Sequence, residues 1–366
     1  MQILAAIATS PETPFTIEEC ELSEPGPGEV LVAVHACGIC HTDIAAKLRH
    51  IPVPLPKVLG HEGAGVVERV GPGVTTLAPG DHVVMTFGSC GVCEHCHDGH
   101  PSYCEEFTSI NFAGKRNAGE AIQRGGAAIG GGFFAQSAFA TYALARERNA
   151  IRIDRDLPLH LMAPLGCGIL TGIGTVLRVL KPCAGTSLVV FGAGAVGLGA
   201  VMAAKLAGCT TIIAVDIKEG RLQKALELGA THMIQGDQLD AVAQIISITG
   251  TGAHFSVDTT GVPDVVAQSI ACLRKRGTTA HVALSSSKDG YKLAPNIFVG
   301  RGLQVRGVVE GDAVPSSLIP QMVAFYRAGV LPLEKIVQTF RFDQINEAMH
   351  AIASGEVVKP VLVMKS

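Results

Sequence analysis

The sequence predicts an α/β fold with a doubly wound parallel sheet, and two observations carry that prediction. The first is the order strand, glycine turn, helix, strand and acid between Ser187 and Asp216. The second is the alternation of short apolar runs with helical segments, which continues as far as residues 303–309. Strands separated by helical patterns of roughly ten to fifteen residues are typical of βαβ units and therefore of parallel sheets.

The glycine turn reads Gly192-Ala-Gly194-Ala-Val-Gly197 and directly follows an apolar run at residues 188–191. In a dinucleotide site the first glycine makes the tight turn, and the second lets the backbone approach a pyrophosphate. The third lets the helix pack on the sheet. An isolated GxGxxG is weak evidence, because glycine turns are common. Here Asp216 also closes the next β-branched run, where such sites carry the acid for the adenosine ribose.

Composition bounds the class of protein. The 366 residues suggest two domains, and 48% hydrophobic with 17% charged residues is enough for large buried cores. A net charge of −3 gives no reason to expect a nucleic-acid or membrane partner. No apolar run reaches membrane-spanning length, and the start of the chain lacks the basic residues of a signal peptide. We therefore expect a soluble cytoplasmic protein, whose 11 cysteines are metal ligands or reactive thiols rather than disulfides.

Four closely spaced cysteines, Cys90, Cys93, Cys96 and Cys104, are the strongest local signal in the chain. Their spacing can close a tetrahedral all-thiolate zinc site. Iron–sulfur clusters usually have another spacing, and four unrelated thiols so close together are improbable. A DNA-binding finger would need a basic helix beside the loop. Because four thiolates leave no open coordination position, we expect a structural zinc.

Three other residues become metal-ligand candidates only in combination. Cys37-Gly-Ile-Cys40 could be a redox pair, although no thioredoxin-like β-α-β start precedes it. His61, beside Glu62, could be an ordinary buried histidine. Cys167, in an apolar run, could be an ordinary buried thiol.

With these motifs in this order, the chain closely resembles the zinc-dependent medium-chain alcohol dehydrogenases over nearly its whole length. The signatures are Gly60-His61-Glu62, the four-cysteine loop and the glycine turn. Segments 40–43, 133–144, 164–168 and 307–311 resemble the aryl-alcohol (benzyl-alcohol) and allylic terpene-alcohol branch. The resemblance implies a GroES-like β-rich catalytic domain made of residues 1–168 and 309–366. It also implies a Rossmann NAD-binding domain at residues 169–308.

The resemblance also implies roles for the residues of the metal centre. Cys40, His61 and Cys167 would hold a catalytic zinc, in addition to the structural zinc of the four-cysteine loop. Two thiolates and one imidazole leave an open coordination position for an alcohol. Asp43 would accept a hydrogen bond from His61, Glu62 would lie behind the metal, and Thr42 would take the alcohol proton.

The expected reaction is the reversible oxidation of primary aromatic or allylic alcohols to aldehydes with NAD. Asp216 favours NAD because a carboxylate repels the 2′-phosphate of NADP, an effect that Arg221 would soften. We expect a homodimer or homotetramer paired through residues 303–309. The cofactor contacts that the resemblance implies are Gly192, Gly194, Gly197, Asp216, Arg221, Thr171, Val282 and Lys359.

Two features bear on the proton relay and the substrate pocket. Many relatives end the relay on a histidine three residues after the threonine, where this chain has Ala45. We therefore expect His41 or water to take the proton, although the family also places His41 near the pyrophosphate. The aromatic, strand-like residues 133–142 would partly line the pocket or belong to the core. Thr86 stands where many ethanol-using relatives carry a bulky ring, which leaves room for a larger alcohol.

Other classes fit less well. A zinc-free quinone reductase would lack the three catalytic ligands, and a polyol dehydrogenase would typically carry Glu at Cys167. A short-chain dehydrogenase needs Tyr-x-x-x-Lys, and none of the 4 tyrosines has a lysine at that spacing. A non-catalytic zinc and nucleotide-binding protein would be expected to lose a ligand or Thr42. The open alternative is a broad aliphatic or glutathione-adduct alcohol dehydrogenase of the same family.

Overall fold

The computed structural model describes residues 1–116, 119–238, 240–285, 287, 290–291 and 295–364. The strands are β1 (Gln2–Ala8), β2 (Thr16–Leu22), β3 (Glu29–Gly38), β4 (Lys57–Val58), β5 (Glu62–Val70), β6 (His82–Met85), β7 (Ile122–Arg124), β8 (Ala127–Ile129), β9 (Tyr142–Arg146), β10 (Ala150–Ile153), β11 (Ser187–Phe191), β12 (Thr211–Asp216), β13 (His232–Gln235), β14 (Ala253–Asp258), β15 (Leu273–His281), β16 (Gln304–Gly307), β17 (Val337–Arg341) and β18 (Lys359–Val363). The α-helices are α1 (His41–Lys47), α2 (Glu94–His97), α3 (Phe107–Asn111), α4 (Leu159–Met162), α5 (Gly168–Gly174), α6 (Ala195–Leu206), α7 (Glu219–Leu228), α8 (Ala241–Thr249), α9 (Pro263–Ala271), α10 (Asn296–Arg301), α11 (Pro315–Arg327) and α12 (Ile345–Ser354).

The chain divides into two compact units. One contains residues 1–167, 314–327 and 333–366, and the other contains residues 168–313 and 328–332. The sequence predicted residues 1–168 and 309–366 for the first unit, whereas the structure places residue 168 and residues 309–313 and 328–332 in the second. For residues 309–313 the contact with α5 is decisive. The reason is close packing, because a Cβ at Gly174 would overlap the carbonyl oxygen of Gly311.

The second unit is built on the parallel sheet that the sequence predicts. Its strand order is β13-β12-β11-β14-β15-β16, and every neighbouring pair is parallel. All five residues of the central β11 are buried, as expected for a strand covered on both faces. One face packs into a core that includes Val189, Phe191, Ile213 and Ile245. At the edge, all four residues of β16 are exposed.

The first unit is rich in antiparallel strands and joins distant parts of the chain. One sheet has the order β4-β1-β2-β7-β8, and the other has the order β10-β6-β5-β3-β18-β17 with β9 also on β3. The late strand β18 pairs antiparallel with the early strand β3. Among the described residues, no single helix is long and apolar enough to cross a membrane, and one bent helix pair passes on length and composition alone.

Lys57 is an unexpected buried charge in the first unit. Its side chain has no exposed surface, and its ammonium donates a hydrogen bond to the carbonyl oxygen of Ala113 at 3.1 Å. Gly114 and Gly130 leave the space that the ammonium fills. Burial lowers the pKa of Lys57 to about 8. The folded protein therefore binds this proton more weakly than the unfolded chain does.

This shift predicts that stability rises with pH. Between about 8 and 10.5 the unfolded chain still holds the proton that the folded protein has lost, so each step up in pH favours the folded state. Below pH 8 the folded protein holds Lys57 in its charged form, so the full free-energy cost of burying the ammonium is present. We expect Lys57→Met to raise the free energy of unfolding at pH 7 by up to about 3 kcal/mol. The gain should shrink as the pH approaches 10.

Urea unfolding at several pH values measures the effect. The control is Lys335→Met, at an exposed lysine, which should change the free energy of unfolding by no more than about 0.5 kcal/mol at any pH. A Lys57→Met protein that is less stable than the wild type at pH 7 would contradict the prediction.

Candidate active site and metal centres

Strand pairing brings the predicted catalytic ligands together. β3 leads to Cys40, and β5 begins directly after His61. Because β3 and β5 are antiparallel, with Gly38 opposite Glu62, the end of one lies beside the start of the other. Cys167 follows the 3₁₀ turn Ala163–Gly166, where the Thr86 hydroxyl donates to the carbonyl oxygen of Gly166 at 2.7 Å.

The resulting cluster has the composition of a catalytic metal site. One ligand atom from each of Cys40, His61, Glu62 and Cys167 lies within 4.8 Å of the others. His61 is fully buried, and its Nδ1 bonds the Asp43 carboxylate at 3.0 Å. Its Nε2 is buried without a hydrogen-bond partner among the described residues. A carboxylate on Nδ1 fixes the proton there and leaves the Nε2 lone pair for a metal, so these residues fit zinc.

Asp43 is held in place by the backbone around it. One of its oxygens accepts from the backbone N–H of Gly60 at 3.1 Å, and the other from Cys40 at 3.0 Å. Burial by itself lowers the pKa of His61, but the Asp43 carboxylate outweighs burial and holds this pKa well above its usual range. The hydrogen bond with Cys167 is the largest influence that holds the pKa of Cys40 well below its usual range. Cys40 is therefore prepared to act as a thiolate.

Lys359, which the resemblance implied as a cofactor contact, contacts this cluster in the first unit. Its ammonium donates to both Glu62 oxygens at 2.9 Å and to the carbonyl oxygen of Ile39 at 3.1 Å. Both side chains are buried, with 1% and 0% of their surface exposed. Although burial alone lowers the pKa of Lys359, the Glu62 carboxylate raises it above its usual range. A Cβ at Gly38 would overlap Glu62, so a glycine is needed there.

Gln136 holds the backbone of His61 in place, and the sequence did not predict this role. The amide nitrogen of this buried side chain donates to the carbonyl oxygen of His61 at 2.9 Å and to that of Thr86 at 3.2 Å. Its amide oxygen accepts from the N–H of Gly63 at 3.0 Å. An isolated amide in an aromatic, apolar stretch was the available signal, because a buried amide must find partners for all its polar atoms.

The stretch at residues 133–142 was predicted as strand-like, and this is wrong before Tyr142. Phe134, Ala135 and Ser137 have φ values of 52°, 55° and 57°, which no strand contains. The turn presses Phe134 against the His61 ring, with 4.5 Å between centroids. Phe133 meets the same ring edge-on at 5.5 Å. Both side chains are buried, and they pack on a candidate metal ligand.

The residues predicted for the proton relay lie in the first turn of α1. The Thr42 hydroxyl is 3.7 Å from the Cys40 sulfur and is partly exposed. His41 is exposed, and Ala45 follows one turn later in the same helix. Thr86 is fully buried, and its hydroxyl bonds the residue that precedes Cys167.

The four-cysteine loop forms a second candidate metal centre. The sulfurs of Cys90 and Cys96 are 4.0 Å apart, and those of Cys93 and Cys104 are 3.9 Å apart. Sulfurs about 2.3 Å from a tetrahedral zinc would be separated by about 3.8 Å, so the spacing fits. The backbone N–H of Glu105 is the largest influence that lowers the pKa of Cys93 to about 6. Burial raises the pKa of Cys104 to about 12.

In the second unit, the glycine turn has the shape that a dinucleotide needs. Gly192 follows β11 with a φ of 89°, and a Cβ at Gly197 would overlap its carbonyl oxygen. A Cβ at Gly194 would meet nothing within 4 Å. Gly194 also caps the start of α6, so backbone N–H groups and open space occur together. This cradle fits a pyrophosphate.

Three other predicted cofactor residues, Asp216, Arg221 and Val282, lie at or after the carboxyl ends of strands of the same sheet. Asp216, 8% exposed, accepts hydrogen bonds from the backbone N–H groups of Ala193 at 2.6 Å and Lys218 at 2.9 Å. Arg221 lies in the first turns of α7, and its Nε has no partner among the described residues. Val282 donates its N–H to Asp258 at the end of β14.

Comparisons with known proteins agree with this geometry. The family description "alcohol dehydrogenase GroES-like domain" matches residues 26–155, and "zinc-binding dehydrogenase" matches residues 195–328. The chain is 43% identical over 362 residues to a geraniol dehydrogenase of Castellaniella defragrans, covering 98% of this chain and 97% of that one. It is 35% identical over 369 residues to the class-P alcohol dehydrogenase of Arabidopsis thaliana, covering 98% and 97%.

Solved structures give the same result. An alcohol dehydrogenase zinc-binding domain protein from Burkholderia ambifaria matches with a TM-score of 0.97 and 47% identity, over 100% of both chains. The benzyl alcohol dehydrogenase of Acinetobacter calcoaceticus matches with a TM-score of 0.96 and 42% identity, also over 100% of both. The prediction that the chain contains a GroES-like domain and a Rossmann-type domain is thereby confirmed. This chain belongs to the zinc-dependent medium-chain alcohol dehydrogenase family and is an alcohol dehydrogenase.

Proposed function

We propose that this enzyme oxidises primary aromatic or allylic alcohols to aldehydes, reversibly, with NAD. The observation that carries the zinc part of the proposal is the buried Nε2 of His61, which lies unpartnered beside the thiols of Cys40 and Cys167. The relatives named for geraniol and benzyl alcohol support the substrate class.

The chemistry assigns separate tasks to residues of this chain. Zinc held by Cys40, His61 and Cys167 would supply a Lewis acid that lowers the pKa of an alcohol hydroxyl. Thr42, close to Cys40, would accept the hydroxyl proton and pass it on. Because Ala45 cannot take that proton, we assign the next step to the exposed His41 or to water. Asp43 holds the His61 ring in place throughout.

A second, structural zinc belongs to the proposal, held by the four-cysteine loop. We further propose that the protein is a cytoplasmic homodimer or homotetramer. The edge strand β16, whose four residues are exposed, supports the oligomer, because the edge of a sheet is a template for pairing with a second copy.

Cofactor choice should favour NAD strongly. The Asp216 carboxylate closes β12, where the adenosine ribose of a dinucleotide binds, and it would repel a 2′-phosphate. Like charges placed together at a binding site cost on the order of several kcal/mol. We expect kcat/KM with NAD to exceed that with NADP by about a hundredfold. In an Asp216→Asn variant this preference should narrow. Equal kcat/KM values for the wild type would rule out the assignment of Asp216.

The substrate class is tested by a panel of alcohols with NAD, followed by absorbance. Benzyl, cinnamyl and geraniol-type alcohols should exceed ethanol in kcat/KM by at least about tenfold, which corresponds to about 1.4 kcal/mol. An apolar, conjugated substrate gains from contact with aromatic side chains, and conjugation also stabilises the aldehyde. The panel includes the formaldehyde–glutathione adduct, because activity on it would distinguish a glutathione-adduct alcohol dehydrogenase from an aromatic or allylic one. A preference for that adduct or for ethanol would remove the aromatic and allylic assignment.

A further inference from the structure

Glu310 is a largely buried acid at the carboxyl edge of the parallel sheet, three residues after the end of β16. Only 9% of the residue is exposed, and its carboxylate accepts a hydrogen bond from the Thr171 hydroxyl at 3.4 Å. Ligands of open α/β sheets bind in the crevice outside this edge. No sequence motif assigns a role to Glu310.

The backbone holds this carboxylate in a fixed position. Glu310, Gly311 and Asp312 all have positive φ values, of 49°, 67° and 49°. A Cβ at Gly311 would lie 2.7 Å from the carbonyl oxygen of Leu170, so the segment is packed tightly onto α5. Two non-glycine residues in this region are costly, and such conformations cluster at ligand clamps.

The topology decides which half of a dinucleotide Glu310 would meet. The glycine turn follows β11, and Asp216 ends β12 on one side of it. With the adenosine half over β12, the nicotinamide half must cross the ends of β14, β15 and β16 on the other side. Glu310 follows β16 and therefore belongs to the nicotinamide half of the crevice.

We propose that Glu310 makes the protein discriminate between the two redox forms of the cofactor. Its carboxylate strengthens the binding of NAD⁺ and contributes little to the binding of NADH. The inference rests on the proposed NAD-dependent function. The nicotinamide ring of NAD⁺ carries a positive charge that NADH lacks, while the two forms share their ribose and phosphate groups. A carboxylate in a site of low dielectric constant attracts the charged ring and gains little from the neutral one.

Calorimetric titration of the zinc-loaded protein with NAD⁺, NADH and ADP-ribose tests the proposal without any turnover. Glu310→Gln keeps the shape of the side chain and removes its charge. We expect the Kd for NAD⁺ to rise at least about fivefold, while the Kd values for NADH and ADP-ribose change less than about twofold. The matched control is Glu227→Gln near the end of α7, at the opposite edge of the sheet, where the acid pairs with Lys224. It should leave all three affinities unchanged.

Glu310→Asp keeps the charge, so it should hold the ratio of the two Kd values closer to wild type than Glu310→Gln does. Equal weakening of all three ligands in Glu310→Gln, or no change in the ratio, would overturn the proposal. A wild-type protein that binds none of the three would instead refute NAD dependence itself, and this inference with it.

Discussion

Cys167→Ser is expected to lower kcat for alcohol oxidation by about a thousandfold or more, while the protein stays folded. A serine hydroxyl is a poor zinc ligand, so the catalytic centre loses the Lewis acid that is worth several kcal/mol of barrier. The buried Nε2 of His61 is then left without its metal. Metal analysis should find about one zinc per chain in the variant, compared with about two in the wild type.

Substitutions of two other cysteines serve as comparisons for Cys167→Ser. Cys96→Ser should lose the other zinc and lower the free energy of unfolding, because a structural zinc contributes folding energy directly. Cys183→Ser, at an exposed thiol, should change neither activity nor zinc content. Full activity in Cys167→Ser, or a wild type that contains one zinc per chain, would refute the two-centre assignment.

Lys359→Met is expected to lower the free energy of unfolding by about 3–5 kcal/mol. The substitution leaves the Glu62 carboxylate buried and without the ammonium that now bonds both of its oxygens. Breaking a buried ion pair by removing one partner is costly, whereas replacing both partners with apolar groups often is not. The double variant Glu62→Leu/Lys359→Met should therefore recover most of the loss.

Urea unfolding of the four proteins of this double-mutant cycle measures the coupling. The control is Arg341→Met, which breaks an ion pair with Asp343 whose two side chains are 68% and 64% exposed. That change should cost less than about 1 kcal/mol. If Lys359→Met has the same free energy of unfolding as the wild type, the buried ion pair of Lys359 with Glu62 does not contribute the expected stability.

The parts of the site that the sequence predicts are those that local pattern determines. The turn from Gly192 to Gly197 is short, and each glycine has a local steric reason. Residue type and the family resemblance also predicted that Cys40, His61 and Cys167 lie together. The parallel sheet followed from the alternation of strands and helices.

What the sequence could not supply depends on long-range register. Lys359 and Glu62 are 297 residues apart, and Gln136 reaches His61 across 75 residues. No local pattern specifies such pairs. The first exists only after β3, β5 and β18 align, and the second only after the turn at residues 133–137 packs on the segment around His61. The left-handed turn around Phe134 also contradicts the strand preference of its aromatic residues, and tertiary packing overrides that preference.

The pairing of β18 with β3 also has a consequence for how the protein is made. A ribosome synthesises Lys359 long after Cys40, His61 and Cys167 have emerged, so a nascent chain holds Glu62 without its counter-charge. Closing a contact over such a separation is entropically expensive and tends to come late in folding. Glu62, beside the candidate metal ligands, therefore gains its counter-charge only after β18 has been synthesised. A chain that stalls before β18 would expose an incomplete, charged centre to the quality-control machinery of the cell.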